Sequence, residues 1–84
     1  MYKILDDEIV YMVDGEIKGT VRFKIENGIS DIVHTYVDGD LRGQGIASKL
    51  VEMAFKYLED NNYEVKSSCS YAKKWAIQHG KTVS

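Results

Sequence analysis

The 84-residue chain sets 11 Lys and Arg against 13 Asp and Glu, for a formal net charge of -2, and 44% of it is hydrophobic. That fraction predicts one globular domain over 1–84, near the small end of what a single core supports, and excludes extensive disorder. The acidic balance argues against nucleic acid as a partner, no apolar run approaches the roughly 20 residues that cross a bilayer, and the opening Met1-Tyr2-Lys3-Ile4-Leu5-Asp6-Asp7-Glu8 is too acidic for a signal peptide, so a cytoplasmic protein without a membrane partner is expected.

Tyr2 to Leu5 reads as a short edge strand, and Glu8 to Val13 as a loosely alternating strand on Val10, Met12 and Ile9. Asp14-Gly15 is a hairpin signal. Ile17, Val21, Phe23 and Ile25 then alternate up to Glu26, interrupted by Gly19, and Asn27-Gly28 is a second hairpin signal. Ile29 to Val37 is a further strand. Strict alternation assigns Ile29, Asp31, Val33, Thr35 and Val37 to one face, and Ser30, Ile32, His34 and Tyr36 to the other.

Asp38 to Gln44 is loop, and from Gly45 to about Asn61 the period becomes helical. Ile46, Leu50, Met53, Ala54, Tyr57 and Leu58 form one buried stripe, widened by Val51 and Phe55. Asp60-Asn61-Asn62 ends the helix. Tyr63 to Ser67 is a strand with Tyr63 and Val65 on one face. A short helix from about Tyr71 to Gln78 turns Trp75, Ala72 and Ile77 inward, His79-Gly80 closes it, and Lys81 to Ser84 is expected to be loose. Hairpins make the first strands antiparallel; the helical crossover makes the strand at Tyr63 parallel to the one at Ile29. The predicted fold class is therefore α/β (α+β): a mainly antiparallel sheet of four or five strands with one parallel pair, one long helix and one short helix.

The chemistry concentrates in Arg42-Gly43-Gln44-Gly45-Ile46-Ala47-Ser48, between a strand and a long helix. Gly43 and Gly45 allow a tight turn and a close approach of ligand to backbone. The first turn of the helix offers free N–H groups at the positive end of its dipole, a physical recipe for holding phosphate oxygens, and Arg42 adds a fixed positive charge. Glycines that merely turn the chain are the alternative. A mononucleotide P-loop fails, because no Gly-Lys-Ser/Thr follows the glycines. Cys69 stands alone, so there is no internal disulfide, and one cysteine with two histidines shows no metal-ligand spacing; no metal is expected.

At this point the residues resemble a known family. Arg42-Gly43-Gln44-Gly45-Ile46-Ala47, with its strand before and helix after, is similar to the Arg/Gln-x-x-Gly-x-Gly/Ala signature of the GNAT superfamily of acyl-CoA-dependent N-acyltransferases. With His34-Thr35 ahead of the loop and Ser68-Cys69-Ser70-Tyr71 closing the second parallel strand, the chain looks like its minimal single-domain "GNAT-like" members. The resemblance spans roughly Glu8 to Gly80. It implies a reduced acyl-CoA N-acyltransferase fold and acetyl-CoA (coenzyme A) as ligand, held by backbone N–H groups from about Gly43 to Ala47, with the Ser48 hydroxyl beside them. It implies pairing of the pantetheine arm with Val37, where the parallel strands splay, and transfer of acetyl to an amine. Set on the superfamily pattern Asn-x-x-Ala-x-x-aromatic-Tyr, Cys69 takes the Asn place, Ala72 the Ala, Trp75 the aromatic and Ala76 that of the usual tyrosine acid.

Cys69 then has two readings. A thiol at a helix N-terminus is activated and could accept acetyl covalently; it is otherwise a small residue closing a strand. His34 is either a base for Cys69 or for the incoming amine, or a sheet-face histidine. Lys73 and Lys74 contact CoA phosphates or form a solvated face. A chain this short lacks the N-terminal helices of larger GNAT enzymes, so an open acceptor groove suited to a protein or peptide amine is expected. A non-catalytic acyl-CoA-binding or sensing module acting through a partner is the reading from another class.

Overall fold

The computed structural model describes residues 1–81. Five strands and two helices follow in the order β1 (Tyr2–Ile4), β2 (Glu8–Val13), β3 (Glu16–Glu26), β4 (Ile29–Val37), α1 (Ile46–Asp60), β5 (Glu64–Ser67) and α2 (Ser70–Gln78), with a single 3₁₀ turn at Gly39–Leu41 before α1. The strands lie in one sheet in chain order, β1-β2-β3-β4-β5; β1 to β4 are an antiparallel meander and β5 runs parallel to β4. Both predicted hairpins form on paired positive dihedrals: φ is 51° and 80° at Asp14 and Gly15, and 52° and 79° at Asn27 and Gly28. Those values match the sense of the sheet's twist, which is why Asn-Gly and Asp-Gly specify such turns.

The core lies between one sheet face and the two helices. The sheet contributes Ile9, Val21, Phe23 and Ile32, and α1 answers with Leu50, Val51, Ala54, Phe55 and Leu58, all at most 2% exposed. Each large side chain so buried contributes about 1.5–3 kcal/mol against exposure. The predicted stripe of α1 is the buried one, with Met53 and Tyr57 at its margin. Gly19 lets α1 settle closely onto the sheet: a Cβ there would stand 3.3 Å from Leu50 Cδ1 and 3.3 Å from the Tyr36 carbonyl oxygen. At the far end of α1, Asn61 Nδ2 donates to the Tyr57 carbonyl (2.7 Å) and Asn62 turns left-handed at φ 64°, which stops the helix as expected.

Three expectations need correction. β4 does not alternate strictly: Arg22 pairs with His34 but Phe23 pairs with Ile32, so Val33 is an extra residue, a β-bulge. Ser30 and Ile32 therefore share the core face with Thr35 and Val37, while His34 and Tyr36 lie on the opposite face. Ile77 points outward, 66% exposed, because α2 turns Ala72, Trp75 and Ala76 to the core and has no second buried side. Of the tail expected to be loose, Lys81 is tied, its N–H to the Ala76 carbonyl (2.8 Å) and its ammonium to Glu59 (3.1 Å); 82–84 lie outside the described residues.

Candidate functional site

The loop before α1 folds around its glycines. Gly43 and Gly45 both have positive φ, 84° and 76°, a region costing most L-residues about 1–2 kcal/mol. A Cβ at either position would meet nothing within 4 Å, so the loop surface is open to an approaching group. Gly45 is the N-cap of α1, no side chain caps the helix, and its first turn carries no acidic residue. The Lys49 N–H bonds back to the Gly45 carbonyl at 3.0 Å. The N–H groups of Ile46, Ala47 and Ser48 have no acceptor among the described residues, and they sit at the positive end of a 15-residue helix.

A cleft of about 340 Å³ opens at these groups, lined by Val37, Leu41, Arg42, Gly43, Gly45, Ile46, Ala47, Ser48 and Tyr71. It gathers every predicted ligand-binding residue except Gln44, which is exposed beside it. Arg42 makes no ion pair among the described residues. A larger hollow of about 450 Å³ lies elsewhere, between α1 and the end of α2; three carboxylates, Glu52, Glu59 and Asp60, line it, and its two lysines are already paired with two of them, Lys56 with Asp60 and Lys81 with Glu59.

Val37 is set at the cleft by the way the sheet opens. The ladder between β4 and β5 runs from Ile29↔Glu64 to Ile32↔Ser67 and ends there; the Ile32 carbonyl takes the N–H groups of Ser68 and Cys69, both at 3.0 Å. Asp31 fixes the departure of the chain, accepting from the Ser68 N–H (2.8 Å) and hydroxyl (2.7 Å). The strands thus part at Ile32, just before the bulge and five residues ahead of Val37, earlier than the expected splay around Val37 itself. The Asp38 N–H points into the sheet, to the Lys18 carbonyl at 2.7 Å. Because backbone groups alternate sides along a strand, the N–H and C=O of Val37 face the gap that β5 has left.

The two predicted catalytic residues are not brought together. Cys69 is the N-cap of α2, half-buried against the core, and its thiol lies 3.6 Å from the Thr35 hydroxyl on the helix-covered face. His34 is exposed on the other face, paired across the sheet with Arg22, and Tyr36 stands near it at 49% exposure. The backbone of β4 separates the imidazole from the thiol. Ala76, at the place of the superfamily's tyrosine, is completely buried. Lys73 and Lys74 are exposed and do not line the cleft. Tyr71 was not predicted for the site; it stands in the Ser68-Cys69-Ser70-Tyr71 segment, but which way it faces depends on how α2 docks. The Ser48 hydroxyl oxygen is already engaged, accepting the Trp75 indole N–H at 2.8 Å.

Residues 8–83 match the family model described as GCN5-related N-acetyl-transferase, and the chain belongs to that family. Solved structures agree on the fold. A GCN5-like protein from Staphylococcus aureus superposes with a TM-score of 0.74 at 23% identity, over 94% of this chain and 79% of that one. The ribosomal-protein-S18-alanine N-acetyltransferase of Escherichia coli gives 0.72 at 17% identity, over 94% of this chain and 52% of its own. The PaiA N-acetyltransferase of Thermoplasma acidophilum, in complex with coenzyme A, gives 0.68 at 14% identity, over 86% and 48%. The chain spans about half the length of the last two. Among the described residues no group of three or more His, Cys, Asp or Glu could hold a metal, and no helix is long and apolar enough to cross a membrane.

Proposed function

We propose that the protein binds acetyl-CoA in the Val37–Tyr71 cleft and transfers its acetyl group to an amine. The observation that carries this reading is the uncapped N-terminus of α1: three unpartnered N–H groups, no acid in the first turn, two left-handed glycines and Arg42, all on one cleft. Such an array holds the pyrophosphate of the ligand, and Val37, through its outward N–H and C=O, aligns the pantetheine arm along the gap. Bound acetyl-CoA supplies an acyl thioester activated toward nucleophiles. An amine coming from the face that carries His34 and Tyr36 meets it through the gap, and His34 is assigned as the base that takes the amine proton. Tyr71 is the phenol lining the cleft and is assigned as donor of a proton to the departing thiolate. Direct transfer is preferred over an acetylated Cys69, since the thiol is directed at the Thr35 hydroxyl and His34 lies on the opposite face of the sheet.

A non-catalytic acyl-CoA-binding module is the second reading, motivated by the buried Ala76. A titration following the amide resonances of Gly43 to Ala47 with acetyl-CoA tests the cleft; unmoved resonances refute it. An acceptor panel of N-terminal peptide amines, lysine peptides and polyamines separates the two readings. The S18-alanine enzyme among the structural neighbours motivates the peptide arm. Turnover with none of the amines, despite binding, leaves the binding module.

A further inference from the structure

Trp75 does not line the cleft, yet it is wired to it. The ring is 6% exposed. It stacks on Phe55 (centroids 5.4 Å apart, 25° between planes) and on His79 (4.1 Å, 17°). The imidazole is itself pinned by its Nδ1 to the Trp75 carbonyl at 2.8 Å. A ring held so firmly aims its N–H in one direction, at Ser48 Oγ, across the contact between the two helices. An indole nitrogen only donates, so the Ser48 oxygen is the acceptor in this bond and its own proton is directed elsewhere. That proton has no acceptor among the described residues. A serine in the first turn of a helix commonly spends its hydroxyl on nearby backbone. Here the oxygen is held on the cleft wall, one residue beyond Ala47.

We infer that Trp75 is a positioning residue for phosphate recognition: by occupying a lone pair of Ser48 Oγ it fixes that side chain and turns the hydroxyl proton into the cleft as a donor to a phosphate oxygen. The inference rests on reading the cleft as the coenzyme A pyrophosphate site. It makes the docking of α2, rather than α1 alone, a determinant of how tightly the phosphates are held.

Trp75 is the chain's single tryptophan, so its indole N–H gives one resonance in a nitrogen-15 spectrum. The test titrates the protein with coenzyme A and, separately, with pantetheine, which lacks the phosphates. The indole resonance should shift with coenzyme A and stay still with pantetheine, and the ligand-dependent shift should vanish in Ser48→Ala. Trp75→Phe, which keeps a ring in the stack, should weaken coenzyme A binding about five-fold, the scale of one neutral hydrogen bond, and leave pantetheine binding unchanged. The double variant should bind no more weakly than Ser48→Ala alone. Unchanged coenzyme A affinity in Trp75→Phe, equal losses for both ligands, or losses that multiply in the double variant would each overturn the inference. Should Trp75→Phe not fold, an indole shift that persists in Ser48→Ala overturns it. Wild-type Gly43 to Ala47 amides that ignore coenzyme A refute the cleft assignment instead, while amides that move beside a silent indole refute only the role of Trp75.

Discussion

Replacing Gly45 by alanine separates backbone strain from ligand approach, because the molecule contains its own control. Gly45 and Gly28 have nearly the same dihedral, φ 76° and 79°, and a Cβ at either meets nothing within 4 Å. One begins α1 at the cleft; the other closes the β3–β4 hairpin. Placing an L-side chain in this region costs about 1–2 kcal/mol at each. For a domain of this size 1 kcal/mol lowers Tm by about 4–8 °C, so both variants should melt roughly 5–15 °C below wild type and close to each other. Only Gly45→Ala puts a methyl group into the cleft, on the line by which a phosphate reaches the N–H groups of Ile46 and Ala47. Its coenzyme A affinity should fall at least ten-fold, about 1.4 kcal/mol or more, while Gly28→Ala binds as wild type. Thermal melts by circular dichroism and isothermal titration calorimetry read the two quantities. Undiminished binding by Gly45→Ala, or an equal loss in Gly28→Ala, refutes the assignment of the cleft.

Tyr71→Phe and His34→Ala should each lower kcat about a hundred-fold with coenzyme A affinity unchanged, as loss of a proton-transfer group does; a full-rate Tyr71→Phe protein removes the phenol from the mechanism. Incubation with acetyl-CoA followed by intact-mass measurement should leave the wild-type mass unaltered, and Cys69→Ser should stay active; an acetyl adduct lost in that variant would instead establish the covalent route. Gly19→Val should destabilise by roughly 1–3 kcal/mol in urea unfolding, since even a first methyl stands 3.3 Å from Leu50 and 3.4 Å from Val37, and the displaced Val37 should weaken ligand binding.

The hairpins and α1 were legible in the sequence because their signals are local: two dipeptides that tolerate positive φ, and an apolar stripe repeated over four turns. The glycine loop itself was legible for the same reason, as glycines between a strand and a helix. The bulge at Val33 was not. An alternation rule counts residues in one strand, whereas a bulge is decided by which partners the neighbouring strand offers. That single extra residue moved His34 and Cys69 to opposite sides of the sheet and undid their pairing. Ile77 looked inward because helical periodicity cannot say how many sides of a short helix will be covered. The Trp75–Ser48 bond joins residues 27 positions apart, and nothing in either local sequence announces it.

The order of strands in the sheet has a kinetic side. β1 to β4 pair with their chain neighbours through tight turns, so most of the sheet can form from contacts of short sequence separation. The pairing of β5 with β4 is different: Ser67 meets Ile32 across 35 positions, after α1 has been laid down. Non-local closure of this kind is the slow part of folding. The cleft needs that closure, since one wall comes from β4 and α1 and the other from Tyr71 on α2. A ligand bound there favours the closed arrangement by mass action. Amide exchange in β5 and α2 should therefore slow on coenzyme A binding more than exchange in the β1–β2 hairpin, making the last-assembled part of the chain the one whose opening the ligand governs.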